Sequence, residues 1–292
     1  MVAQSQNVSV FCHHRKQPLC AIRQRHFPFG LFWSNPTIRM AILPRFERND
    51  LRSAWSFAIA ATGQEILLDR TASVAIIFDL DGTLVDTAPD LVAALNAVLT
   101  AEGLQPISPT DLRHFVGHGV RAMFEHAYQR AAANVPAERM AGLTERFLGY
   151  YRANIARGSK PFPRVPETLN ELTTAGAGLG VCTNKAQDLT ELLLNELSLS
   201  RHFPAVIGGG RTPYSKPDPR HVLEVLKELN GQRTRAVFVG DSAIDVQAAR
   251  AADIPVIAMS YGYTPVPANE LGADAVLDDF AELPETIFRL VR

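Results

Sequence analysis

Short apolar runs interleaved with amphipathic helical stretches fill the chain after Ser73, and this rhythm narrows the folds open to it more than any other feature. The runs cover residues 74–78, 179–183, 205–207, 236–239, 255–258 and 275–277. Most are four or five residues long and lack the polar alternation of a strand with one wet face. They therefore read as strands buried on both sides. Helical patterns at 168–175, 188–197, 221–229 and 245–252 fall between them. Strand alternating with helix predicts an α/β fold, a Rossmann-like parallel sheet with helices on both faces.

One interval departs from that rhythm. Residues 89–159 contain no strand pattern, only helical ones: Leu91, Leu95, Val98 and Leu99 share a face, and further helical patterns cover 120–133 and 138–157. This predicts an α-helical subdomain at 89–159, inserted into a core made of 73–88 and 160–292. Its hinges are expected near 86–89 and at Lys160-Pro161-Phe162-Pro163, where proline cannot continue a helix. The run Thr87-Ala88-Pro89-Asp90 fits a capping box opening the first inserted helix.

Composition excludes several classes of protein. With 47% hydrophobic and 20% charged residues and no apolar run near the roughly 18 needed to cross a bilayer, no membrane span is expected. A net charge of −1 gives no broad positive surface for nucleic acid. That figure averages two unlike segments. Residues 1–72 carry nine Lys/Arg against four Asp/Glu, and no acidic residue precedes Glu47. This basic, proline-interrupted leader is read as a disordered tail or a start codon assigned too far upstream, with a targeting segment as the alternative. Cys12, His13, His14, Cys20 and His26 lie close together there but match no paired zinc spacing. Three cysteines in a long chain fit reduced thiols and a cytoplasmic setting.

The chemistry concentrates where the apolar runs end. The segment Val74-Ala75-Ile76-Ile77-Phe78-Asp79-Leu80-Asp81-Gly82-Thr83 runs a strand straight into two aspartates. Side chains alternate along a strand, so Asp79 and Asp81 can point the same way from its C-terminal end, where open α/β sheets bind ligands. A simple Asx turn closed by Gly82 needs one aspartate, not two on one face. Downstream, Ala236-Val237-Phe238-Val239 leads into Gly240-Asp241-Ser242-Ala243-Ile244-Asp245, which repeats the design. If the two strands are neighbours, Asp79, Asp81 and Asp241 converge on one oxygen-lined point suited to Mg²⁺. Asp245 either binds through a water or caps the following helix. Thr183 and Asn184 end another strand with a hydroxyl and backbone N–H groups, and Lys216 precedes a proline-stiffened turn. Together these three form a donor set for phosphate oxygens.

In this order the motifs resemble those of the haloacid dehalogenase-like hydrolase superfamily. Asp79-Leu80-Asp81-Gly82-Thr83 matches its first motif, Thr183 its second, Lys216 its third, and Gly240-Asp241-Ser242-x-x-Asp245 its fourth. The resemblance covers Val74 to the C-terminus and implies a mobile helical cap at 89–159. Within the family, the runs 78–90, 181–185 and 206–209 and Tyr261-Gly262-Tyr263 are most similar to the bacterial phosphoglycolate phosphatases. The resemblance implies a Mg²⁺-dependent phosphatase acting on a small phosphorylated metabolite, 2-phosphoglycolate first, as a monomer or homodimer. Asp79 is then the nucleophile that forms an aspartyl-phosphate, Asp81 the acid and base, and Asp79, Asp81 through its backbone carbonyl, and Asp241 the metal ligands. Thr183, Asn184 and Lys216 hold phosphate.

Substrate choice is expected to come from the cap, where Phe115-Val116-Gly117-His118-Gly119-Val120-Arg121 offers His118 or Arg121 to a small carboxylate. The same segment also reads as a plain helix-to-helix turn. His114 and His118, four apart, are weakened as a metal pair by the intervening Gly117, and Arg211 reads as a surface residue. Rival readings within the family are a sugar-phosphate phosphatase, a pyrophosphatase and a β-phosphoglucomutase-like phosphotransferase. Outside enzymes, a binding protein on this fold would have lost one acidic pair, and both are present. Gly208-Gly209-Gly210 fits neither nucleotide-binding glycine motif.

Overall fold

A computed structural model describes residues 74–112, 115–117 and 119–291. The basic leader, the Cys12 to His26 group, His114 and His118 lie outside the described residues. Six parallel strands form one sheet: β1 (Ala75–Phe78), β4 (Gly178–Ala186), β5 (Ala205–Gly209), β6 (Ala236–Gly240), β7 (Val256–Met259) and β8 (Ala275–Leu277), in the order β5-β4-β1-β6-β7-β8. The first strand is thus central, with β4 and β6 on either side. The apolar runs became strands, and in β1, β6 and β7 every residue is buried because both faces are covered. Ile76 and Phe78 pack with α5 (Val165–Thr174), α6 (Gln187–Glu196) and α9 (Leu283–Leu290). Ala75 and Ile77 pack on the other side with α7 (Pro219–Glu228) and α8 (Ala243–Ala251).

Register sets the active end of this sheet. Phe78 pairs with Val181 on β4 and Val239 on β6, so the three strands are in step where β1 ends. Asp79, Thr183 and Asp241 therefore follow at nearly the same height. Pairing of β4 with β5 slips between Cys182 and Ala186, and a bulge of this kind bends a strand and re-aims its side chains. The slipped stretch is Thr183, Asn184 and Lys185.

Between β1 and β4 come α1 (Ala88–Ala101), α2 (Pro109–Leu112), α3 (Val120–Arg130) and α4 (Met140–Ala153). Leu91, Leu95, Val98 and Leu99 are all buried, as their shared face requires, and meet Phe124, Phe147 and Tyr151. The Phe124 and Phe147 rings pack edge to face at 6.1 Å. The chain enters and leaves this helical insertion through a two-residue antiparallel ribbon, β2 (Val85–Asp86) with β3 (Lys160–Pro161). Helices this short leave none among the described residues long and apolar enough to cross a membrane.

The capping box expected at Thr87 and Asp90 does not form. Thr87 is in the helical region and its Oγ1 is buried without a hydrogen-bond partner. The free N–H groups of Thr87 and Ala88 donate instead to Tyr263 Oη, at 2.7 and 3.0 Å. Asp90 is drawn to the exit side of the insertion, where it accepts from Ser159 N and Oγ at 2.8 and 2.6 Å and from Gly158 N at 2.8 Å. Several donors from one turn outcompete the single N-cap amide that a capping box offers. A long-range clasp across the two hinges replaces a local cap.

Candidate active site

The register of β1 with β6 brings the acidic residues together. Ligand oxygens of Asp79, Asp241 and Asp245 lie within 4.8 Å of one another, all on buried residues. Lys216 Nζ sits between two of them, 2.7 Å from Asp79 Oδ1 and 2.7 Å from Asp245 Oδ1. The contact to Asp245 has hydrogen-bond geometry, whereas Asp79 Oδ1 remains without a hydrogen bond. Burial pushes the Asp79 carboxyl up from 3.8 to about 6, with Lys216 opposing the rise and Asp245 adding to it. Asp241 is likewise raised well above the carboxylate range by burial and by its two acidic neighbours.

Each carboxylate has a different local anchor. Asp241 accepts from Thr83 Oγ1 at 2.9 Å and from the Tyr263 backbone N–H at 2.7 Å. Gly82 makes this approach possible: its φ is +87°, and a Cβ there would stand 2.5 Å from Asp241 Oδ2. Asp245 closes a capping box on α8, accepting from Ser242 N at 3.0 Å and Ser242 Oγ at 2.6 Å. Of the two roles the sequence allows for Asp245, capping is present, and Lys216 takes its other oxygen.

Lys216 is fixed from the neighbouring loop. Asn184 Nδ2 donates to the Lys216 carbonyl at 3.0 Å, and the Lys216 N–H donates to Asn184 Oδ1 at 2.8 Å. The Asn184 side chain is thereby committed to positioning Lys216. Thr183 is buried, and its carbonyl is held by His221 Nε2 at 3.0 Å. Cys182 beside it points into the core, where burial pushes its thiol far up and out of nucleophilic use.

Asp79, Asp81, Thr183, Lys216, Asp241 and Asp245 line one cavity of about 540 Å³, with a roof of Leu91, Val116, Val120, Met123, Phe147 and Tyr151 from the helical insertion. Asp81 turns its carboxylate away from the other three acids and toward Lys185 Nζ, 3.2 Å from both oxygens. Neither Lys185 nor Tyr151, which Lys185 also touches, is singled out by the sequence motifs. The signal was available, since Thr183 and Lys185 are two apart on a strand and so share a side. Arg121 is not among the lining residues. Its side chain is 67% exposed and pairs with Glu125 on its own helix. Arg211 bonds the Val206 carbonyl and Glu228 at the surface.

Lining the cavity are four carboxylates, Asp79, Asp81, Asp241 and Asp245, against two ammonium groups, Lys185 and Lys216, among the described residues. Crowded buried carboxylate oxygens with raised affinity for protons are the donor set of a hard divalent cation. The residues present fit Mg²⁺.

A doubly covered parallel sheet with acids and a lysine gathered at its C-terminal edge defines an α/β enzyme core. The family model for haloacid dehalogenase-like hydrolases matches residues 76–259. A phosphoglycolate phosphatase of Caulobacter vibrioides is 47% identical over 74% of this chain and 91% of its own length. One from Agrobacterium fabrum is 44% identical over 76% and 95%. Among solved structures, a predicted phosphoglycolate phosphatase from Haemophilus somnus superposes with a TM-score of 0.69 at 29% identity, over 74% of this chain and 98% of its own. The chain belongs to the haloacid dehalogenase-like hydrolase family.

Proposed function

We propose that the protein is a cytoplasmic Mg²⁺-dependent phosphatase, a monomer or homodimer, that hydrolyses 2-phosphoglycolate through an aspartyl-phosphate. The observation that supports this best is Asp79. It is a buried carboxylate at the end of the central strand, with Lys216 Nζ held 2.7 Å from one of its oxygens, in a chain 47% identical to a phosphoglycolate phosphatase.

In the first half-reaction an Asp79 oxygen bonds to phosphorus as the ester P–O bond breaks. Asp81 gives a proton to the leaving alkoxide. In the second, water attacks the phosphoryl group and loses its proton to Asp81, and the acyl-phosphate bond breaks to release Asp79 and phosphate. Lys216, the Thr183 hydroxyl and the Asn184 backbone N–H hold the non-bridging oxygens. Mg²⁺ held by Asp79, Asp241 and the Asp81 carbonyl would offset the repulsion between a carboxylate nucleophile and an anionic phosphate. Residues 89–159 act as a cap whose apolar inner face keeps bulk water from the acyl-phosphate.

The test is a panel of 2-phosphoglycolate, pyrophosphate, sugar phosphates and nucleotides at fixed Mg²⁺, compared by kcat/KM. The expected result places 2-phosphoglycolate among the best substrates. A clear preference for sugar phosphates, or phosphoryl transfer to a sugar in place of water, would overturn the substrate assignment and leave the hydrolase family intact.

A further inference from the structure

Lys185 and Tyr151 make a direct polar contact between the helical insertion and the catalytic strand ends. Lys185 Nζ donates to Tyr151 Oη at 2.8 Å and lies 4.6 Å from the centre of the Tyr151 ring. Both are almost wholly enclosed, with 5% of the Lys185 side chain and 1% of Tyr151 exposed, and both line the cavity. An exposed ion pair, Arg152 with Asp188, holds the same helix, α4, against the core one residue further on.

We infer that Lys185, with the Tyr151 hydroxyl, binds a second acidic group of the substrate and so selects phosphomonoesters that carry a carboxylate close to the ester oxygen. This rests on the phosphatase reading above. Three observations support it. The first is position. If Asp81 delivers its proton to the leaving oxygen, that oxygen sits beside the Asp81 carboxylate, and Lys185 Nζ stands 3.2 Å from both oxygens of that carboxylate. Groups one or two carbons beyond the ester oxygen then fall within reach of Nζ. The second is charge. Lys185 and Lys216 are the cavity's cationic side chains among the described residues, and Lys216 is already shared by Asp79 and Asp245 on the phosphate side. Lys185 has only the one carboxylate. The third is donor capacity. One N–H of the ammonium goes to Tyr151 Oη and one, shared between the two equidistant Asp81 oxygens, to that carboxylate, which leaves the third, and Tyr151 Oη, accepting from Lys185, keeps its own proton to donate. A carboxylate can take both.

Electrostatics agree with this placement. Burial acts to discharge Lys185, but Asp81 and Tyr151 outweigh it and hold the ammonium above its ordinary range. Burial likewise pushes the Tyr151 hydroxyl up to about 12, so it stays a donor. The roof around the pair is apolar, from Leu91, Val120, Met123 and Phe147, where a charge-assisted bond is worth more than in water. A substrate ending in a methyl group leaves the Lys185 arrangement without a new partner. A glycolate-like leaving group gives it one.

The experiment compares kcat/KM for 2-phosphoglycolate and for ethyl phosphate, which is the same length without the carboxylate, in the native enzyme, Lys185→Met and Tyr151→Phe. Loss of the Lys185 charge beside Asp81 alters proton transfer for both substrates, and that effect cancels in the ratio. We expect the ratio to fall at least about tenfold in Lys185→Met and about threefold in Tyr151→Phe, the loss of one charged and one neutral hydrogen bond respectively. Tyr151→Phe keeps the ring and serves as the folded control if Lys185→Met does not fold. Ratios that stay within about twofold of native in both variants overturn the assignment of Lys185 and Tyr151. A native enzyme with no preference for 2-phosphoglycolate over ethyl phosphate would instead overturn the substrate reading on which the assignment rests.

Discussion

Asp79 should cost the metal-free protein stability, and its replacement should return that stability while abolishing turnover. Its carboxyl rises from 3.8 in the unfolded chain to about 6 in the fold, chiefly through burial. At about 1.4 kcal/mol per tenfold change in proton affinity, this corresponds to roughly 3 kcal/mol. The sign follows from where the proton sits. Below about pH 4 both states hold it and nothing is lost; as pH rises from there to about 6 the unfolded state releases it first, so the folded state loses stability. Above pH 6 the penalty is complete. Asp79→Asn removes the charge while Lys216 keeps Asp245 as its partner at 2.7 Å. In EDTA at pH 7.5 the variant should therefore be about 1 to 3 kcal/mol more stable, the lower figure allowing for a buried amide left unpaired. Reversible urea unfolding followed by circular dichroism measures this at pH 7.5 and pH 4, with the gain expected only at the higher pH. Saturating Mg²⁺ should narrow the gap by stabilising the native enzyme. A variant no more stable than native at pH 7.5, or equally stabilised at both pH values, would refute the reasoning.

Three further outcomes follow from the same contacts. Gly82→Ala places a Cβ 2.5 Å from Asp241 Oδ2 at a φ of +87°, so Mg²⁺ affinity by calorimetry should fall at least about tenfold with the fold retained; native affinity would contradict the Asp241 ligand role. Tyr263→Phe removes the acceptor for the Thr87 and Ala88 N–H groups and the donor to Asp86, and should destabilise by about 1 to 3 kcal/mol in urea. A loss under about 0.5 kcal/mol would mean the hinge finds other partners. Asn184→Ala frees the Lys216 backbone and should lower kcat/KM about tenfold for every phosphomonoester alike, unlike the substrate-dependent effect expected at Lys185.

The sheet was readable because burial on both faces leaves a local trace. A strand covered by helices cannot alternate polar with apolar, and all six such runs became strands, differing from the expected bounds by a few residues at most. The first helix after β1 was readable for the complementary reason: Leu91, Leu95, Val98 and Leu99 share one helical face, and that face is buried. What the local pattern could not supply was the partner of each hinge residue. Thr87 and Asp90 have the spacing of a capping box, but Tyr263 lies 176 residues from Thr87 and Ser159 lies 69 from Asp90. Spacing records what a segment can do alone, and these segments are not alone.

The site divides along the same line. Asp79, Asp241 and Asp245 follow the ends of β1 and β6, so the register of Phe78 with Val239 is enough to bring them together, and Asn184 at the end of β4 fixes Lys216 beside them. Lys185 needs more. Its side of the strand follows from Thr183 two residues earlier, but its role depends on Tyr151, contributed by a helix packed over the strand ends. Arg121 shows the converse, a cation beside a glycine pair that the helix turns toward Glu125 and solvent. A charge next to a flexible loop is therefore weak ground for placing a specificity residue. A charge two positions beyond a buried strand-end hydroxyl is better ground, because the strand's period fixes the side it faces and the low-dielectric roof gives it a reason to be kept.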